Sequence, residues 1–151
     1  MTRHARADAP DPPDGDEATL RPPARPGAVE LAAAILIAAG VLGVLGTVTS
    51  AVTAPPPPAV VPVLGLTVAL NLASIVVGVI VRLGRLWLLA VNFVAVLGFL
   101  DLTRAGANPL ALMLGVADVV ALVIMFVHKP WFDALRRRRA ADREAAERIS
   151  P

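Results

Sequence analysis

Asp118 stands almost at the middle of residues 108–128, a stretch of bilayer length with no other charged side chain. A charged group at the centre of a membrane span costs roughly 2.5 to 3.5 kcal/mol on insertion scales, and it usually faces a protein interior. Ala107, Ala111, Gly115, Asp118 and Ala121 follow one another at helical spacing, so the acid shares its face with small residues and is expected to point inward. In another apolar stretch Thr67, Asn71, Ser74 and Gly78 step by four, three and four residues, a small and polar helical face. Counted from the helix ends at about 1.5 Å per residue, Asp118 and Asn71 lie roughly 15 Å deep, with Asn92 and Ser74 nearer to roughly 10 Å. Asp118, Asn71, Asn92 and Ser74 therefore form a candidate intramembrane polar layer. No Lys, Arg or His falls at that level, so burial favours the neutral acid, able to donate a hydrogen bond to Asn71. Such a group can relay a proton or cation, or it can fix helix register through a buried hydrogen bond. The second role is slightly favoured, because the layer shows no second acid, broken helix or wide polar groove.

The elements that must hold these residues are membrane spans. Of 151 residues, 56% are hydrophobic, above the roughly 45 to 50% of soluble domains. The 14 basic and 12 acidic residues lie mostly in the two tails. Four apolar stretches, about 29–53, 60–81, 86–103 and 108–128, reach the roughly 20 residues needed to cross the hydrocarbon, the third being the shortest. A cleaved signal peptide ending near Val52-Thr53-Ala54 is disfavoured, since the first apolar run far exceeds an h-region of roughly 7 to 15 residues. In that run Gly40, Gly43 and Gly46 recur every third position and predict a packing face. Pro55 to Pro58 must lie outside the hydrocarbon as a loop, because prolines cannot donate backbone hydrogen bonds. Pro62 falls harmlessly in the next helix's first turn. The turn from Arg82 to Arg85 is short enough to make the second and third spans antiparallel neighbours. Asp101 and Arg104 have the spacing of a pair near the interface, Asn108-Pro109 signals a helix start, and Lys129-Pro130 signals its stop. The expected fold is an all-α, transmembrane four-helix bundle.

Residues 1–28 hold six prolines, five acids and four arginines, too little apolar surface to offset ordering entropy, so a disordered tail is expected. Residues 129–151 open with Trp131 and Phe132, followed by Arg136, Arg137, Arg138 and Arg139. With Trp87, these read as lipid-interface anchors contacting anionic headgroups. The rest of that tail, with Glu144 and Arg148 four apart, predicts a short amphipathic surface helix. Thirteen of the 14 basic residues fall on one side of the spans and only Arg104 on the other, so both termini are expected in the cytoplasm.

Enzyme chemistry finds no material here: His4 and His128 are isolated, no metal-ligand spacing occurs, and no catalytic residue, cofactor or metal site is expected. There is no cysteine, and aromatics are too few to stack nucleic-acid bases. Through Arg82-Leu83-Gly84-Arg85-Leu86-Trp87 and Lys129-Pro130-Trp131-Phe132, the chain resembles small four-span membrane proteins of high-GC Gram-positive bacteria. That resemblance implies a location in the bacterial plasma membrane and a shape, and carries over no catalytic residue. The chain also looks like the small multidrug exporters, but their essential acid in the first span has no counterpart between Leu31 and Thr53. The expected role is a non-enzymatic component that associates with itself or a larger membrane complex through its small-residue faces. The alternative is a small proton- or ion-coupled transporter using Asp118.

Overall fold

A computed structural model describes residues 24–106 and 108–149, and among them there are five α-helices and no strand. These are α1 (Gly27–Thr53), α2 (Val61–Arg82), α3 (Trp87–Arg104), α4 (Pro109–Val127) and α5 (Lys129–Ile149), with one 3-10 turn at Pro58–Val60. The first four are long and apolar enough to cross a membrane, and at most 33% of the most apolar stretch of each is buried inside the chain. Leu31, Leu45, Leu66, Val76, Phe99, Met113 and Val127 lie on the outside. Apolar surface on this scale needs a lipid solvent, and the chain is a multi-pass membrane protein.

Local chemistry explains the boundaries. Pro62 sits in the first turn of α2 and Pro109 in that of α4, where a missing N–H is harmless. The Asn108 side chain accepts a hydrogen bond from Leu110 N at 2.9 Å and caps α4. Lys129-Pro130 interrupts the chain only briefly. His128 closes α4, and α5 starts at the next residue, so the proline opens a helix as well as following one. The C-terminal segment is thus one 21-residue helix, longer than the short element expected. The N-terminal tail, expected to be disordered, falls for residues 1–23 outside the described residues, and α1 already begins at Gly27.

The helices alternate in direction. Glu30, at the start of α1, accepts hydrogen bonds from Arg25 and from Arg82 at the end of α2, the latter at 3.1 Å. Trp87 Nε1, at the start of α3, donates to Met125 O near the end of α4 at 3.2 Å. One end of the bundle therefore gathers Arg25, Arg82, Arg85 and α5, and the other holds the proline loop and Arg104. The most extensive packing is of α1 on α2, then α3 on α4, with α1 against α4 joining the two pairs. The expected neighbours α2 and α3 touch each other far less. Each spends its close-packing face elsewhere: Asn71, Ser74 and Gly78 of α2 lie against α1, while Gly98 of α3 lies against α4.

The apolar core sits toward the arginine end. Val29, Ala32, Ala33 and Leu36 of α1 meet Val77 and Val81 of α2, Ala90, Val91 and Val94 of α3, and Ala121 and Met125 of α4. Phe132 of α5 closes this cluster. The α2–α3 turn uses Gly84 at φ 61° and, unusually, Leu86 at φ 47°, a left-handed conformation that costs an L-residue. A side chain at Gly84 would have to displace Trp131 and Leu135, so α5 lies directly on this turn.

Candidate functional site

The residues of the expected polar layer divide between two helix pairs. In the α1–α2 pair, Ser74 Oγ donates to Leu36 O at 3.1 Å, a hydrogen bond between helices. Asn71 is buried over Gly43, and a Cβ at Gly43 would collide with its carboxamide. Small residues at such points let two backbones approach closely. In the α3–α4 pair, Asp118 is 1% exposed and packs on Gly98, where an added Cβ would sit 3.0 Å from the Asp118 Cβ.

The hydrogen bond expected from Asp118 to Asn71 does not form. Asn71 Nδ2 donates instead to Thr67 O of its own helix at 2.8 Å, because α2 packs on α1 while Asp118 is held against α3. Asp118 Oδ1 is buried without a hydrogen-bond partner among the described residues. Such a group carries a desolvation cost that its surroundings do not offset.

Asn92 is outside the layer altogether. It is exposed, and its Nδ2 donates to Leu88 O at 2.7 Å. The buried face of α3 runs through Ala90, Val91, Val94, Leu97 and Gly98. Asn92 is one residue, or about 100° of helix rotation, beyond Val91 and so turns away from that face. Ala95, expected to share an inward contact with it, is exposed too.

Toward the proline end the helix pairs leave a cleft of about 440 Å³. Asn71, Thr67, Thr47 and Ser50 line one side of it, with Asp101, Arg104 and Asn108 on the other. The hydroxyls of Thr47 and Thr67 donate to Gly43 O and Val63 O of their own helices. Asp101 and Arg104, expected as a pair, both line the cleft without forming an ion pair among the described residues. Leu114 and Ala111, one and two turns before Asp118, also line it. The acid thus lies about one helical turn deeper than the lining. The arrangement offers a carboxyl group for proton exchange beneath a polar recess. It offers no cluster of three or more His, Cys, Asp or Glu for a metal ion among the described residues. Spacing in α1 carried an unused signal for this recess: Gly43, Gly46, Thr47 and Ser50 share a small, polar face.

The expected interface anchors gather at the arginine end. Trp87 meets Phe126 edge to face at 5.6 Å, with the Lys129 ammonium 5.4 Å from its ring. Trp131 meets Phe132 in the same manner at 5.0 Å. Phe132 is buried in the core cluster, whereas Arg136 and Arg137 are exposed and Arg138 is half-buried. Arg139 takes another part, donating to Gly84 O at 2.9 Å and to Leu83 O at 2.7 Å. It thereby satisfies carbonyls left open at the end of α2. Glu30 binds both Arg25 and Arg82. No protein-family model, curated protein or solved structure matches the chain.

Proposed function

We propose that this chain is a non-enzymatic component of the bacterial plasma membrane that acts by associating with a second copy of itself or with a larger membrane complex, both termini being cytoplasmic. The small-residue faces first expected to mediate association are already occupied within the chain, by α1 against α2 and by Gly98 against Asp118. The observation that carries the reading is therefore Asn92. It is a carboxamide about 7 to 8 Å inside a membrane span by helical rise, on a surface otherwise made of Leu88, Val96 and Phe99. Among the described residues, nothing donates to its Oδ1. In lipid such a side chain finds its partner across a helix interface, a gain of roughly 0.6 to 2 kcal/mol. Energy transfer between labelled copies in lipid vesicles tests this: Asn92→Leu should weaken self-association about threefold to thirtyfold. Unchanged association of the leucine variant would overturn the assignment of this face.

A second reading, proton- or ion-coupled transport, is favoured by the unpartnered Oδ1 of Asp118 beneath the cleft. Asp118→Asn should abolish proton-dependent flux in vesicles while assembly stays normal. Equal flux in the two proteins would leave Asp118 with a packing role.

A further inference from the structure

A second cavity, of about 810 Å³, opens at the arginine end between the first turn of α3 and one face of α5. Lys129, Asp133, Arg136, Arg139 and Arg143 of α5 line it at helical spacing, giving four cations against one carboxylate. Neither Arg136 nor Arg143 forms an ion pair among the described residues. Arg139 gives two of its donors to the α2–α3 turn, and a guanidinium has five. Across the cavity, Leu86 offers α3 no side-chain cap, so the first N–H groups of that helix add to the positive potential. The remaining wall is apolar, formed by Trp87, Leu88 and Leu89. Leu88 is 67% exposed and leads directly onto the outer surface of a span.

We propose that this cavity holds the headgroup of one anionic phospholipid, with its phosphate between Arg136 and Arg143, two helical turns apart, and its acyl chains lying along Leu88 and Leu89. Basic pockets beside spans bind anionic headgroups, and guanidinium groups match phosphate oxygens in shape and charge. A free phosphate would satisfy the cations but leave the apolar wall uncovered, whereas a lipid covers both. The inference rests on α3 being a membrane span, and it meets the Asn92 surface at Leu88 while its cationic groups lie outside that surface.

The test uses the full chain, as Trp131→Phe so that Trp87 alone reports, in discs of zwitterionic lipid. Quenching of Trp87 is followed while brominated phosphatidylglycerol or brominated phosphatidylcholine is added. The anionic lipid should quench saturably, with an apparent affinity at least about tenfold higher. Arg136→Ala/Arg143→Ala should reduce that preference to less than about twofold, and Arg136→Lys/Arg143→Lys should keep it. Arg137→Ala/Arg148→Ala removes the same charge from outside the cavity and should leave most of the preference, while Asp133→Asn should increase it. Matching unfolding midpoints establish that the variants fold alike. Equal losses in the two alanine pairs would mean diffuse surface attraction and overturn the site, as would loss of preference in the lysine pair. Displacement of the lipid by millimolar inorganic phosphate would reassign the cavity to a free anion. A disc-bound chain without preference overturns the site alone, whereas a chain missing from the discs overturns the spanning assignment as well.

Discussion

At the arginine end, Ala32, Ala33, Leu36, Val81, Ala90 and Val94 are closed against one another, and α5 is pinned across the α2–α3 turn by Arg139. At the proline end the same helices stand apart around Thr47, Thr67, Asn71 and Asp101. The difference follows from side-chain size and type. Alanine and valine let the first half pack closely, with buried Ser74 satisfied by Leu36 O, whereas the second half carries hydroxyls, carboxamides and charges that need space and partners. Water drives no apolar association between helices in lipid, so packing contacts and interhelical hydrogen bonds must hold the spans together. Between the spans themselves, the closed half is therefore the frame and the open half is where a small solute or a moving proton has room, whereas the larger cavity at the arginine end lies against α5.

The largest effect should come from making one substitution in both halves. Ala90 is fully buried in the closed half, and Ala90→Leu should lower unfolding stability by about 2 to 3 kcal/mol, since overpacking forces neighbours off their rotamers. Ala111 is also buried but borders the cleft. Ala111→Leu can expand into that space and should cost less than about 1 kcal/mol. Denaturant titration in mixed micelles measures both, and equal costs would erase the distinction between the halves.

The four spans were legible in the sequence because length and apolarity are properties of contiguous residues. The inward orientation of Asp118, Asn71 and Ser74 was legible from helical spacing. Which helix each face meets was not, because a small-residue face fits any other small-residue face. Only the fold shows α2 spending its face on α1 and leaving Asp118 to Gly98. Asn92 was misassigned because its depth fits the layer and its rotation about the α3 axis does not. The contacts of Arg139 with Gly84 and of Arg82 with Glu30 join residues more than 50 positions apart in sequence, and spacing rules do not reach them.

Among the described residues, Asp118 Oδ1 and Trp131 Nε1 are buried without a hydrogen-bond partner, and Asp118 is the one of this pair that lies within a span. Asp118→Val removes the orphaned Oδ1 at little change in volume and should raise stability by about 1 to 2 kcal/mol. A gain in stability with loss of flux would show that the open half maintains the acid at a structural cost for function. A loss of stability would show that Asp118 holds α3 and α4 together.

Arg139→Ala should have a smaller effect. It removes two charge-assisted hydrogen bonds, each discounted because the side chain is partly exposed, for a net cost of about 1 kcal/mol. Amide exchange in the α2–α3 turn and in α5 should speed up together, while exchange in α1 stays as before. Faster exchange across the whole chain would mean that α5 supports the entire bundle and not the arginine end alone.

Leu86 provides the finest test of how firmly that end is held. Its φ of 47° and ψ of 42° place a branched, 63% exposed side chain in the left-handed region, a conformation persisting only where the surroundings dictate it. Here the turn has only a few residues between two spans, Gly84 has already turned left-handed, and Arg139 holds the two carbonyls just before it. Asn tolerates this region far better than Leu, and little packing is lost on replacing so exposed a side chain. Leu86→Asn should therefore stabilise the protein by about 0.5 to 1 kcal/mol. If the turn instead relaxes once Arg139 is removed, the gain should vanish in Leu86→Asn/Arg139→Ala, and the non-additivity would measure how much of the backbone strain is sustained by the docked helix.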